Sequence, residues 1–526
     1  MRALGLGLLL IAVRASAADA AIVDCVHDSA VFNEQRHYRI FLPPAYASTD
    51  RRYPVIYWFH GHGERYNKGP ASKEYDQGSD YGGDNIAHFV ATHDVLVVKW
   101  DGYNPRKPGE DYPRPYNIGP VETDRQFALY FPELVAYIDA HYRTIADRDH
   151  RATSGISMGG FMSFWIAGKY PDLVSSASNF MGSPEFVVGP REFPVEYSHD
   201  VMAGNYDGVR TRLVTGSRDF IQFYHRRMNL LWTQPSHETE DFDFDHGVPA
   251  LAKTLAFHME AFEYPLPQPH VWSHADVYPT FSVWDWTVQT DRKKPGFTWL
   301  ESASHTGFHS VVREWLPRGK IVPGIHVRIV TAPYYRKNQR VPVTTIRLRD
   351  NKIEQRHEFA DANGRLEFQL DGDDYQVTIG KNLVHRTVEA PKVPPAPLAT
   401  DFQIADHRKV QVFEHATQKQ SRTLGLGNGD GKANPGEVIA ILLPDGDAFR
   451  PAELFSDDDC VDLSSRVSDD WRDYDWVGAS AKYTLAKLNC PAGHVIRLRA
   501  RVLLPNKPNH QVKEVEIELP VFAIQR

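Results

Sequence analysis

A chain of 526 residues is too long for one ordinary domain of about 100–250 residues, and its formal charge of −8 offers no attraction to nucleic acid or an anionic membrane surface. With 42% hydrophobic and 24% charged residues, its make-up is that of a folded globular protein rather than a disordered one. Only three cysteines are present, which excludes a disulfide-stapled scaffold.

The first twenty residues stand apart. Arg2 supplies a short basic start, residues 3–13 are an unbroken apolar run, and small-x-small sites follow at Ala15-Ser16-Ala17 and Ala18-Asp19-Ala20. Residues 1–20 therefore read as a secretory signal peptide, and a secreted or periplasmic protein is expected. No other stretch approaches the roughly 20 apolar residues of a membrane helix, so no membrane span is expected.

Two proline-rich stretches divide the remainder. Pro265-Leu266-Pro267-Gln268-Pro269 and Pro391-Lys392-Val393-Pro394-Pro395-Ala396-Pro397 read as stiff linkers. The expected domains are 22–264, 270–388 and 400–526. In the first, strands at 36–42, 54–59, 95–98, 174–180, 212–215 and 241–244 alternate with helices at 85–92, 131–142, 160–170 and 249–262. The run Pro54-Val55-Ile56-Tyr57-Trp58-Phe59 is almost wholly apolar, as in a strand buried on both faces. Such alternation predicts an α/β domain with a mainly parallel sheet covered by helices on both sides. The second and third segments lack that rhythm. Short strands at 325–331, 344–348, 365–370 and 375–379, then at 410–413, 438–443, 495–504 and 512–522, read as two all-β, sandwich-like domains.

Chemistry concentrates in the first segment. Gly155-Ile156-Ser157-Met158-Gly159 follows a short strand and opens a helix. A G-x-S-x-G pattern in that context makes a tight strand-to-helix turn that lifts a nucleophilic serine above the sheet. A nucleophilic serine needs a base and an orienting acid, which follow it here in the order acid, then histidine. Asp219, where the strand Leu213-Val214-Thr215 runs into a polar loop, is the expected acid. His246, after the strand at 241–244, is the expected base. Asp207 and Glu240 compete for the acid, and His225, His237 and His258 for the base, from less favourable positions. The oxyanion hole should take the Met158 N–H and one from the loop His60-Gly61-His62-Gly63, with Gly61 and His62 as the named donors. His60 and His62 have no third ligand nearby in sequence and read as loop-shaping groups rather than a metal site.

These residues resemble a known family. His60-Gly61 after an apolar strand, Phe131-Pro132-Glu133-Leu134 running on to Ile138-Asp139-Ala140-His141-Tyr142-Arg143, and the elbow with Lys169-Tyr170-Pro171-Asp172 downstream are similar to the α/β-hydrolase esterase family of esterase D, feruloyl and acetyl-xylan esterases and the antigen 85 mycolyltransferases. The resemblance spans about residues 35–264. It implies an α/β-hydrolase fold with Ser157, Asp219 and His246 as nucleophile, acid and base. Around His246 the pattern departs, because Gly247-Val248-Pro249 follow where the family often has an acidic or aromatic residue.

The expected activity is a serine carboxylic-ester hydrolase that works through an acyl-enzyme and requires no cofactor for catalysis. The loop Trp100-Asp101-Gly102-Tyr103, with Tyr112 and Tyr116 soon after, should overhang the site, so Trp100, Tyr103 and Tyr116 are the expected substrate contacts. Aromatic faces there favour small-molecule or polysaccharide esters of feruloyl or acetyl type. An acyltransferase, a lipid esterase, or an inactive carbohydrate-binding or adhesion protein on the same fold are the alternatives.

Two features lie near the C-terminus. Leu426-Gly427-Asn428-Gly429-Asp430-Gly431-Lys432-Ala433-Asn434-Pro435-Gly436-Glu437 offers Asn428, Asp430, Asn434 and Glu437 as hard oxygen ligands for calcium. Lys432 stands where a calcium loop wants a third ligand and the spacing to Glu437 is short, so a plain glycine-rich turn is the favoured reading. Cys460 and Cys490 share one segment, and export would permit them to pair.

Overall fold

The computed structural model describes residues 19–523, apart from 68–73, 80, 103–126, 183–184, 191, 194, 200–201, 220–224, 226–227, 229–231, 233–234, 315, 317–318, 381–395, 414–418, 446–447, 467–482 and 505–510. The expected signal peptide thus lies outside the described residues except for its last two positions. Most of the second linker lies outside them too.

The N-terminal unit is a single mixed sheet. In chain order its elements are β1 (Ala21–Ser29), β2 (Glu34–Leu42), β3 (Val55–Phe59), α1 (Ile86–Thr92), β4 (Leu96–Trp100), α2 (Phe127–His141), β5 (Arg151–Gly155), α3 (Met158–Lys169), β6 (Ser176–Phe180), the hairpin β7 (Glu185–Val188) and β8 (Val195–Ser198), β9 (Arg210–Gly216), β10 (His237–Phe242) and α4 (Leu251–Glu263). The sheet order is β1-β2-β4-β3-β5-β6-β9-β10. From β4 to β10 every pairing is parallel, while β1 and β2 add an antiparallel edge. Two hydrophobic clusters flank this sheet, one holding α2 and α3 and the other α1 and α4. That is the α/β-hydrolase arrangement, with the mainly parallel sheet the alternation predicts.

Burial explains most of the local choices. All five residues of β3 and of β4 are buried, as strands covered on both faces require. Lys99 is the exception inside that run. Its ammonium is wholly buried and is neutralised by Asp76 at 2.8 Å, which also takes Arg39 at 3.0 Å. The Asn85 side chain accepts from the His88 N–H and so caps α1. One expectation shifts: the last strand is His237–Phe242, four residues earlier than the 241–244 read from its apolar pair. It is an edge strand with no fully buried residue, so its hydrogen bonds to β9 define it and its hydrophobicity does not.

The remaining described residues carry antiparallel sheets. Between Trp272 and Ile379 a six-stranded and a four-stranded sheet share one hydrophobic cluster. Strands at Trp272–Asp276, Thr280–Val283, Trp286–Thr290, Phe297–Ser304, Gly307–Arg313 and Lys352–Phe359 add to the four read from sequence. Beyond Gln403 the strands build a third set of sheets around a separate core, and Cys460 and Cys490 form a disulfide there.

The second unit does not hang from its linker; it is welded to the first. Ala275, Val277, Tyr278, Phe297 and Leu316 belong to the same hydrophobic cluster as α2 and α3. The Asn205 side chain donates to the Ala275 carbonyl at 2.9 Å and accepts from the Ala275 N–H at 2.9 Å, so an amide side chain stands in for a strand partner. Asp207 accepts from the Ser273 N–H at 3.0 Å and Asp172 from the Trp284 N–H at 3.1 Å. At the centre, Lys169 at the end of α3 meets Asp276 at 2.6 Å, with both side chains buried. Burial alone would push the Asp276 carboxyl up, but Lys169 and His274 beside it reverse this and hold it below its ordinary value. Removing one partner leaves an uncompensated buried charge. Asp276→Ala should therefore destabilise the protein by about 3–5 kcal/mol, read as a lower urea midpoint. The paired replacement Lys169→Met with Asp276→Leu should recover most of that loss.

Candidate active site

The site begins with a backbone constraint. Ser157 has φ 58° and ψ −119°, a conformation that costs an L-residue of order 1–3 kcal/mol and persists only where surroundings enforce it. The enforcement is visible. Its N–H donates to the Phe180 carbonyl at 2.8 Å, tying the elbow to the end of β6. Its carbonyl accepts from the Phe161 N–H at 3.0 Å and so starts α3. At Gly159 a Cβ would lie 1.9 Å from the Phe59 carbonyl oxygen, so any larger residue would push α3 off β3. The Ser157 hydroxyl is buried and has no hydrogen-bond partner among the described residues.

Ser157, Asp219 and His246 follow the C-terminal ends of β5, β9 and β10, and in the sheet only β6 separates β5 from β9. Open α/β sheets bind their ligands at that edge. Asp219 is buried, and its two carboxylate oxygens lie 3.1 and 3.2 Å from His246 Nδ1. His246 is partly exposed. The Gly247 N–H points at Met181 Sδ at 3.3 Å, which ties the histidine loop to the residue after β6. Ser157, Asp219 and His246 share this edge of the sheet, and catalytic hydrogen bonds often tighten only when substrate binds.

The competitors are committed elsewhere. His258 lies in the core between the Ser176 and Ser178 hydroxyls at 2.9 and 2.8 Å, and burial lowers its pKa to about 3. Glu240 pairs with Arg212 and Lys253, and Asp207 holds the second unit. His225 is closer to the site than its sequence position indicates. It is wholly buried, its Nε2 sits 2.8 Å from the Gly182 carbonyl, and the Asp219 charge acts on it.

Two expectations need correction. Trp100 is not a substrate contact: it is fully buried, with its ring 4.2 Å from that of Phe59 and further contacts to Phe127, Tyr130 and Phe131. Tyr103, Tyr112 and Tyr116 lie outside the described residues. Gly61 is not positioned as an oxyanion donor, because its N–H is taken by Glu64 Oε2 at 2.9 Å. That carboxylate is buried and also receives the Tyr75 hydroxyl. Met158 opens α3. His62, next in the loop, is the other named donor.

His60 fixes this loop. Its Nε2 accepts from the Gly102 N–H at 2.8 Å, and its Nδ1 sits 2.8 Å from the Gly61 carbonyl, so the ring spans the loops after β3 and β4. Burial is the main reason its pKa falls to about 4. In the folded protein His60 and His258 stay neutral well below their ordinary 6.5, so the unfolded chain binds more protons than the folded one under acidic conditions. The contribution of these two histidines to stability is accordingly full above pH 6.5 and is lost as pH drops toward 4. Thermal melts at constant ionic strength should show Tm declining as pH is lowered through that window.

The sheet, the elbow and the Asp219–His246 pair define an α/β-hydrolase domain. Residues 29–255 match the family model described as "Putative esterase". Among curated relatives, an esterase of Mycobacterium tuberculosis is 31% identical over 145 residues, which is 27% of this chain. The chain spans only 28% of that relative's length. Among solved structures, a ferulic acid esterase from Anaeromyces mucronatus, in complex with ferulic acid, aligns at 18% identity and a TM-score of 0.35, covering 46% of this chain and 90% of that one. An S-formylglutathione hydrolase from Agrobacterium tumefaciens aligns at 16% identity and a TM-score of 0.35, covering 47% of this chain and 96% of that one.

Proposed function

We propose that the chain is a serine carboxylic-ester hydrolase with Ser157 as nucleophile, His246 as base and Asp219 as orienting acid. The observation that carries this reading is the strained, buried Ser157 with an unpartnered hydroxyl, set in a segment that matches an esterase family model and at the same sheet edge as a hydrogen-bonded Asp219–His246 pair. His246 Nε2 takes the hydroxyl proton as Ser157 Oγ attacks the ester carbonyl, while Nδ1–H donates to Asp219 and fixes the tautomer. The N–H groups of Met158 and His62 receive the oxyanion. Collapse expels the alcohol, which takes the proton from His246, and water repeats the sequence to release the acid and restore Ser157.

Carbohydrate-linked feruloyl or acetyl esters are the substrate class we favour. The tyrosines at 103, 112 and 116 follow the C-terminal end of β4, and appended β units in an exported hydrolase fit attachment to a polymer. Export is part of the same reading: residues 1–20 have signal-peptide character, and a disulfide at Cys460–Cys490 suits an oxidising compartment. Among the described residues no helix is long and apolar enough to cross a membrane.

Ser157→Ala should lower turnover of p-nitrophenyl acetate by about 10⁴-fold or more with an unchanged circular-dichroism spectrum, and should abolish labelling by a fluorophosphonate probe that marks the wild type. Wild-type protein that neither labels nor turns over would make the domain a binding module. Across methyl ferulate, acetylated xylan and medium-chain acyl esters, kcat/KM should be highest for the first two. A preference for the acyl-chain esters would overturn the substrate assignment and leave the nucleophile standing.

A further inference from the structure

The loop between Gly425 and Val438 looks different once folded than it does in sequence. It lies where the third set of sheets converges. Leu426 pairs with Val438, Ala433 bridges Val521, and the Gly436 N–H donates to the Leu488 carbonyl at 2.6 Å. Inside it, Asn428 Nδ2 donates to Asn434 Oδ1 at 3.2 Å, and the Asn428 N–H to Glu437 Oε1 at 3.0 Å. Lys432, the residue that argued against a cation here, turns its ammonium away to the Phe522 ring, 5.8 Å from the centroid.

The ligand that the loop lacks in sequence comes from outside it. Asp406, twenty residues or more upstream of the loop's oxygens, is 1% exposed and faces the Gly431 N–H only at 3.3–3.4 Å. Glu437 is 7% exposed, and its Oε2 is buried with no hydrogen-bond partner. Gly427 is packed between the two residues: a Cβ placed there would lie 2.6 Å from the Asp406 main-chain carbonyl oxygen and 2.8 Å from Glu437 Cδ. Asp406 and Asp430 are also the charges that act on Glu437. Among the described residues neither Asp406 nor Glu437 forms an ion pair. A buried carboxylate oxygen left without a partner in the field of two further carboxylates is costly, and a metal ion relieves that cost where side chains cannot.

We propose that Asp406, Asn428, Asp430, Asn434 and Glu437 form a calcium site that joins the sheets of the C-terminal unit. Five side chains offer oxygen ligands, three of them carboxylates. Calcium takes about 6–8 oxygens in irregular geometry, and backbone carbonyls or water complete such a set; magnesium demands a smaller, near-octahedral shell. The site is remote in sequence from the esterase residues, and the inference does not depend on the activity proposed for them.

The test uses the full-length protein, stripped with chelator and titrated with CaCl2 by calorimetry. One calcium per chain and a Tm several degrees above that of the stripped protein are expected. No binding heat together with an unchanged Tm would overturn the site, and equal stabilisation by MgCl2 would overturn its assignment to calcium. Glu437→Gln should weaken calcium binding by at least about tenfold. Asp430 is exposed, so Asp430→Asn folds regardless and should weaken binding in the same direction. Wild-type affinity in both variants would sink the proposal. Esterase turnover should stay at the wild-type level in Asp430→Asn.

Discussion

Much of the N-terminal unit depends on one contact, the approach of the first turn of α3 to the backbone at the end of β3. Gly159 is packed against the Phe59 carbonyl so closely that no side chain fits. That contact holds α3 against the sheet, and the Phe180 carbonyl fixes the elbow from the other side. Between them Ser157 has no relaxed backbone available. The strain is therefore held by the packing of three strands and a helix rather than by the turn itself. A turn built this way is stiff where Ser157 sits.

Much of this could be read from the chain, and the reasons are physical. An elbow is local: five consecutive residues contain its glycines, its serine and its turn. β3 and β4 announce themselves because strands buried on both faces are apolar throughout. Asp219 and His246 could be picked out because strand ends place them. What escaped was tertiary. Nothing local distinguishes Trp100 from an exposed aromatic platform; only Phe59, Phe127, Tyr130 and Phe131 closing around it make it core. β10 is polar because it is an edge strand, so its start was invisible to a hydrophobic pattern. Trp272–Asp276 carries a serine, a histidine and an aspartate among its five residues, yet most of it is buried, because Trp272 packs into the core of its own unit while Ala275 and Asp276 meet the hydrolase unit. The capture of the Gly61 amide is different. Glu64 is only three residues on, and a carboxylate folding back on a glycine-rich turn is a signal that can be looked for.

The second unit alters what counts as the catalytic domain. A proline linker implies independence, but Lys169 and Asp276 form a buried pair across the junction, and side chains of the second unit complete the core beneath α3. The helix that carries Ser157 at its start ends in that pair. Cutting the chain at residue 264 would therefore expose apolar surface and strand a buried lysine at the far end of the helix that follows Ser157.

The His60 ring has a consequence for how the sequence around it can change over time. It bonds the turn after β3 to the Gly102 amide, so the loops after β3 and β4 are held by one neutral imidazole. Insertions or deletions before Gly102 would break that clip and disturb the turn. Beyond Gly102 the clip imposes nothing. The sequence from residue 103 onward is thus free to vary without disturbing the turn after β3.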